Sequence, residues 1–273
     1  MSAARSSILG LGVATFLAGS AGAQDTTKLR GLNSQNEALA WQAVGRLDHR
    51  DGYCTATLIA PDLLLTAAHC VYDASGALIP AQDLRFQAGL THGAASAVRE
   101  ISQVEAHEVY DPRAGVNAKN VRHDVALVRL AKPIPTHELA PFSVFDGALP
   151  DGPVSVVSYG RGRSDALSRQ DACHVVKRRE QIVTMDCDVT FGSSGSPVFT
   201  HLNGRGQIAS IISSIGKRGG RKVAFGMELP QAVSLLKRQM HANRVRPKAQ
   251  VRRLGVGSNK GSTGAKFVTA KGS

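Results

Sequence analysis

Short apolar runs, each cut by turn-forming residues, organise the central part of this chain. Thr57–Ile59 and Leu63–Thr66 are separated by Pro61-Asp62, a pair suited to a tight turn. The pattern predicts strands over Ala40–Leu47 and over Tyr53–His69, the second folded back at that turn. "VALVRL", Val125 to Leu130, is β-branched and is broken by Lys132-Pro133, which reads as another strand. Val154–Tyr159, Val175–Val176, Ile182–Met185, Pro197–Thr200, Gln207–Ser213 and Lys222–Met227 follow the same rule. One stretch near the end changes period. From Leu229-Pro230 onward, Ala232, Leu235, Leu236 and Met240 keep to one helical face. Many short strands and one late helix predict an all-β fold, a sandwich or a barrel. Pro133–Pro150 is rich in proline and turn formers and reads as a crossover between two halves, about residues 131–152. No internal repeat of about 20 to 50 residues is visible.

The first residues carry the three parts of an export signal: Arg5, the apolar stretch Ile8–Leu17, and the small-residue site Ala21-Gly22-Ala23. Residues 1–23 are therefore expected to be a signal peptide, with the mature chain starting at Gln24 in a secreted or periplasmic setting. No other segment approaches the ~20 apolar residues of a membrane helix. Residues 24–39 are polar and read as a pro-segment or N-terminal arm. The remaining chain can bury one good core or two small ones.

Cys54, Cys70, Cys173 and Cys187 form an even set in an exported chain, which favours disulfides. Three connectivities are possible. The expected one is local, Cys54 with Cys70 and Cys173 with Cys187, each bond stabilising by about 3 kcal/mol in the chain-entropy model. A zinc site is the rival, weakened by the lack of any C-x-x-C spacing. The formal net charge is +12. Arg5 supplies one of these charges and the acid-free stretch Arg244–Ser273 supplies eight, which leaves only +3 elsewhere. The basic stretch 244–273 is expected to be a disordered tail with weak affinity for anionic surfaces. It has none of the aromatic interleaving that stacks bases, so no specific nucleic acid is expected.

Three places can carry chemistry. His69 closes a greasy run in "TAAHC". Asp124 opens one in "HDVALVRL", and a buried acid there needs hydrogen-bond donors such as an imidazole N–H. "FGSSGSPVF", Phe191 to Phe199, sets a serine between glycines just before a strand. A serine hydroxyl needs a base to become a nucleophile, and a glycine-bearing turn can aim consecutive backbone N–H groups at an oxyanion.

Together, "TAAHC" (Thr66–Cys70), "HDVALVRL" (His123–Leu130) and "GSSGSP" (Gly192–Pro197) resemble the signature stretches of chymotrypsin-fold serine peptidases. The bacterial V8-like, glutamyl-endopeptidase-like branch is the nearest match, over roughly Trp41 to Met240. The resemblance implies two six-stranded antiparallel β-barrels with a C-terminal α-helix, spanning residues 40–243, and it agrees with the local disulfides. It implies His69 as general base and acid, Asp124 as its orienting partner and Ser194 as nucleophile. The N–H groups of Gly192 and Ser194 would form the oxyanion hole. Ser213, Ser214 and Gly216 would pair with substrate backbone, and Ser214 is a candidate hydrogen-bond partner of Asp124. Asp188, six residues before Ser194, sits where a trypsin-like pocket holds its acid and would direct cutting after Lys or Arg. Lys217, Arg218, Arg221 and Lys222 could instead attract acidic substrates, although Gln207–Arg218 lacks the histidine of glutamate-specific relatives.

The chain departs from trypsin-like enzymes at Ser193, where those carry an acid that pairs with a freed N-terminus. A cut at Arg30-Gly31 is only weakly signalled. The function expected is a monomeric secreted serine endopeptidase acting on protein or peptide substrates, with no cofactor and no metal. The alternative is a catalytically silent homologue that binds anionic partners through its basic tail. An α/β-hydrolase is disfavoured because its nucleophile precedes its acid and histidine in the chain and sits in G-x-S-x-G.

Overall fold

The structure is a computed structural model that describes residues 26–149, 152–201 and 204–244. The expected signal peptide, residues 1–23, and residues 245–273 of the basic tail lie outside the described residues. In chain order the elements are β1 (Arg30–Gly31), α1 (Gln35–Ala38), β2 (Val44–His49), β3 (Gly52–Ala60), β4 (Leu63–Thr66), β5 (Arg85–Ala88) and β6 (Ala97–Ala106). They continue with α2 (Ala118–His123), β7 (Ala126–Leu130), β8 (Pro153–Gly160), β9 (Arg163–Arg179), β10 (Ile182–Met185), β11 (Pro197–Thr200), β12 (Gln207–Arg218), β13 (Arg221–Met227) and α3 (Pro230–Ala242).

The strands close into two six-stranded antiparallel barrels, as the resemblance implied. The first runs β2-β3-β4-β7-β6-β5 and closes where β5 pairs with β2. The second runs β8-β9-β10-β13-β12-β11 and closes where β11 pairs with β8, with β1 added on β9. Closure pairs most strand edges, which limits the edges that invite association. Leu47, Leu58, Leu65, Phe86 and Leu127 fill the first interior. Val154, Val156, Val183, Met185, Val198 and Ile212 fill the second. Both expected disulfides, Cys54–Cys70 and Cys173–Cys187, are formed, so no cysteine is left for zinc.

The segment between β7 and β8 binds both barrels. The Phe142 N–H donates to Leu58 O at 2.9 Å and the Phe145 N–H donates to Ile208 O at 2.9 Å. Helix α3 starts with Pro230 in its first turn, where a missing N–H costs nothing. It buries Val233, Leu236 and Met240, while Leu235 is only partly buried. No helix among the described residues is long and apolar enough to cross a membrane.

Several elements differ from the sequence expectation. The strand expected from Ala40 begins at Val44, because Gln35–Trp41 winds into short helical turns. Ser34 and Glu37 start that winding with a reciprocal capping box. The region of residues 26–33 packs on the second barrel: Thr27 N–H donates to Ala172 O, and Leu32 N–H to Leu167 O. The candidate cut Arg30-Gly31 therefore lies inside a paired strand. Leu32 is fully buried. Leu32→Ala should lower unfolding free energy by about 2–5 kcal/mol in urea titrations; an unchanged midpoint would show that this segment is not part of the folded unit.

Candidate active site

Strand register brings the first two site residues together. β4 and β7 are antiparallel, with Thr66 opposite Ala126 at the end of the ladder. His69 lies three residues beyond Thr66, in the 3₁₀ turn Ala68–Val71, and Asp124 lies two before Ala126, at the C-cap of α2. The two chains thus leave the barrel side by side. Asp124 Oδ1 accepts the His69 backbone N–H at 2.9 Å. Oδ2 lies 2.8 Å from His69 Nδ1 and accepts the Ser213 hydroxyl at 2.6 Å. An ionised carboxylate only accepts, so the imidazole carries its proton on Nδ1 and leaves the Nε2 lone pair free. Asp124 is 3% exposed, and these three donors make its burial tolerable. Burial pushes the His69 pKa down, while the charge and hydrogen bond of Asp124 push it up and prevail.

The partner of Asp124 corrects one expectation. Ser214 was the candidate, but Ser213 makes the bond, and the Ser214 hydroxyl is buried without a partner among the described residues. The cause is an irregularity in the β12–β13 ladder between Ile212 and Ser214. A one-residue slip in a strand moves each side chain to the opposite face.

The third residue sits on the turn Thr190–Ser196, at the head of β11. Gly192 has φ +88° and an added Cβ would come 2.5 Å from the Tyr53 ring. Gly195 has φ +74° and its Cβ would fall 2.3 Å from Thr55 O. Only glycine fits either position. The N–H groups of Ser193, Gly195 and Ser196 donate to Thr190 O, Ile212 O and Ser193 O. The N–H groups of Gly192 and Ser194 have no acceptor among the described residues.

Two groups hold this turn: Ser193, noted in the sequence for its lack of charge, and Thr55, which was not singled out there. Thr55, fully buried on β3, donates its hydroxyl to Gly192 O at 3.0 Å and its N–H to Ser194 O at 2.9 Å. The Ser193 hydroxyl, also fully buried, accepts the Thr190 N–H and donates to Ser158 Oγ, each at 3.3 Å. Thr55 and Thr57 are two threonines in the largely apolar strand Gly52–Ala60, and nothing in the sequence distinguishes the one that holds the turn.

His69, Asp124, Gly192, Ser194, Ser213 and Ser214 all line one cleft of about 590 Å³. Gly216 lies one residue past Ile215, where the lining ends. Asp188 does not line it. Its carboxylate is 58% exposed and pairs with Lys222 at 3.0 Å, which corrects its expected place as a pocket floor. Lys217, Arg218 and Arg221 belong to the β12–β13 hairpin and do not line the cleft either. Cys54, His69 and Cys70 bring possible ligand atoms within 4.8 Å of one another, but both sulfurs are spent in a disulfide.

Two barrels with a cleft that gathers an Asp–His pair and a serine on a glycine turn define the chymotrypsin-like class of fold. Residues 54–206 match the family model of the trypsin-like peptidase domain, and the chain belongs to that family. Glutamyl endopeptidase of Bacillus licheniformis is 22% identical over 217 residues, covering 78% of this chain and 66% of that protein. The CLIP domain-containing serine protease HP8 of Bombyx mori is 32% identical over 119 residues, covering 37% of this chain and 30% of that protein. The chain thus spans less than two thirds of either relative's length. A solved structure of a Glu endopeptidase in complex with MPD superposes with a TM-score of 0.66 at 17% identity, covering 80% of this chain and 98% of that one.

The bond to Ser213 separates the two serines experimentally. Ser213→Ala removes one of three donors to a buried carboxylate and should destabilise by about 1–3 kcal/mol in urea unfolding. Ser214→Ala should cost less than Ser213→Ala. The reverse order would overturn the assignment.

Proposed function

We propose that the chain is a secreted or periplasmic serine endopeptidase working through an acyl-enzyme. The observation that carries this reading is the cleft in which an oriented imidazole shares space with Ser194, whose own N–H and that of Gly192 are left without acceptors. Membership of the trypsin-like peptidase family supports it. In this scheme His69 Nε2 takes the Ser194 hydroxyl proton as Oγ attacks the substrate carbonyl. The oxyanion is met by the N–H groups of Gly192 and Ser194. His69 then gives the proton to the departing amine, and water releases the acyl group by the same steps in reverse order. Asp124 orients the imidazole and stabilises its charged form. Beyond Ile212, β12 pairs only with β13, so its other edge at Ser214 and Gly216 can accept substrate backbone as an added strand. The two disulfides suit an oxidising compartment. Nothing in the cleft favours the silent-binder reading.

Ser194→Ala should lower kcat on casein or a peptide substrate by about 10⁶ and abolish labelling by a fluorophosphonate probe. A wild-type protein that is never labelled would sink the proposal.

The direction of the His69 shift sets the pH dependence. The base must be neutral to accept a proton, and its pKa is raised, so kcat/KM should fall with acidification at a pH above the ordinary histidine value of about 6.5. Asp124→Asn should cut kcat by about 10⁴ and move that limb to lower pH. A pH–rate profile with its acid limb well below 6.5 in the unaltered enzyme would contradict the assignment.

A further inference from the structure

Two segments flank Ser194 in the cleft, Thr190–Gly192 and Ile212–Ile215. Suppose a scissile carbonyl points its oxygen at the N–H groups of Gly192 and Ser194 while the residue before it pairs with the open edge of β12. The side chain of that residue then passes between these two segments. No charged side chain stands on either one. The Thr190 hydroxyl is occupied, accepting the Arg161 N–H and donating to Phe191 O. The Ser213 hydroxyl is committed to Asp124. What remains uncommitted is uncharged: Ile212, Ile215, the exposed Phe191 ring and the Ser214 hydroxyl, which has no partner among the described residues. Beyond them lies the Phe225 ring, whose Cε2 lies 2.6 Å from where a Cβ on Gly216 would sit.

The charged groups lining the cleft stand elsewhere. His69 and Asp124 face each other, and His49 and Asp51 belong to the β2–β3 hairpin of the first barrel. No lysine or arginine lines the cleft among the described residues. Outside it, Asp188 and Lys222 pair with each other at 3.0 Å, Arg161 lies over the exposed Phe191 ring at 4.5 Å, and Arg163 packs near Gly160 beside Thr190, none of them in the lining. A charged side chain entering between the flanks would lose water and gain no counterion, whereas an aliphatic one gains by burial.

We infer that the residue preceding the cleaved bond is uncharged and aliphatic, of the Ala, Val or Leu class, and that Ile212 and Ile215 are its specificity determinants. The inference deepens the endopeptidase reading and rests on it. It would set the chain apart from acid-reading and base-reading enzymes, because no lysine, arginine or unpaired carboxylate stands on either flank of the cleft.

The test is a set of fluorogenic tetrapeptide amides alike except before the cut, where they carry Ala, Val, Leu, Phe, Glu, Lys or Arg. The best aliphatic substrate should exceed Glu, Lys and Arg by at least about tenfold in kcat/KM. Ile215→Gly should raise Phe relative to Val by about tenfold. Ile215→Lys should raise Glu relative to Val, and Asp188→Ala should leave all the ratios unchanged. Fluorophosphonate labelling of each preparation reports Ser194 reactivity without reference to the varied residue, and reports whether each variant is folded. A labelled enzyme that prefers Lys or Arg and loses the preference in Asp188→Ala overturns the inference. So does one that prefers Glu, or one that shows no aliphatic preference; in each case the endopeptidase reading stands. Failure of the wild type to label overturns that reading and the inference with it.

Discussion

A carboxylate taken out of water is the constraint on which this molecule is arranged. Asp124 is almost completely buried, and an unpaired buried carboxylate is costly enough to unfold a marginal domain. Its three donors come from two barrels: the His69 backbone and ring from the first, and Ser213 from the second. Satisfying the acid therefore requires the first barrel to be closed in the correct register and the second to lie against it. The β4–β7 ladder meets the first condition, since one residue of slip there would carry His69 away from Asp124. The same bonds fix the tautomer of the imidazole, so stability and chemical readiness have a common origin.

The glycine turn depends on the same docking of barrels. Gly195 sits where a side chain would strike Thr55 O and Thr66 Oγ1, both in the first barrel. Thr55 in turn grips Gly192 O and Ser194 O, and its hydroxyl also accepts the Tyr159 N–H from β8 at 3.1 Å. A single buried threonine thus ties the glycine turn that carries Ser194 to a strand of each barrel.

Much of this was legible in the chain because the signals are local. Val125–Leu130, Ile182–Met185 and Pro197–Thr200 are short and apolar, and they form strands within a residue of where the pattern put them. The three motifs carry their residue types in a fixed order, which no composition effect imitates. Other parts were illegible for physical reasons. β9 runs through 17 residues with Ser168 and Gln170 fully buried, so its interior positions do not look apolar. Gln170 is buried because its amide bridges Thr27 O and the Asp188 N–H, partners that are distant in sequence. β5 is only four residues long, and α2 is held by the Asn117 cap rather than by an apolar stripe. The choice between Ser213 and Ser214 was hidden because an irregular strand pairing decides which of two adjacent serines turns inward.

The residue before Ser194 departs in chemistry from an anchor that works by ion pairing. Ser193 provides a neutral anchor, one hydroxyl shared between the Thr190 N–H and Ser158. A hydroxyl in that place needs no counterion, so the turn has no requirement for a free amino terminus brought in from elsewhere. Its geometry is complete while residues 30–31 remain paired to β9. No side chain from Thr190 to Ser196 ionises, and neither do Thr55 and Ser158. Protonation in the physiological range therefore leaves the arrangement of the two free N–H groups untouched and acts in the cleft on its histidines, His69 and His49. In the proposed mechanism, this separation would let the His69 imidazole change its charge without disturbing the turn that presents the two free N–H groups.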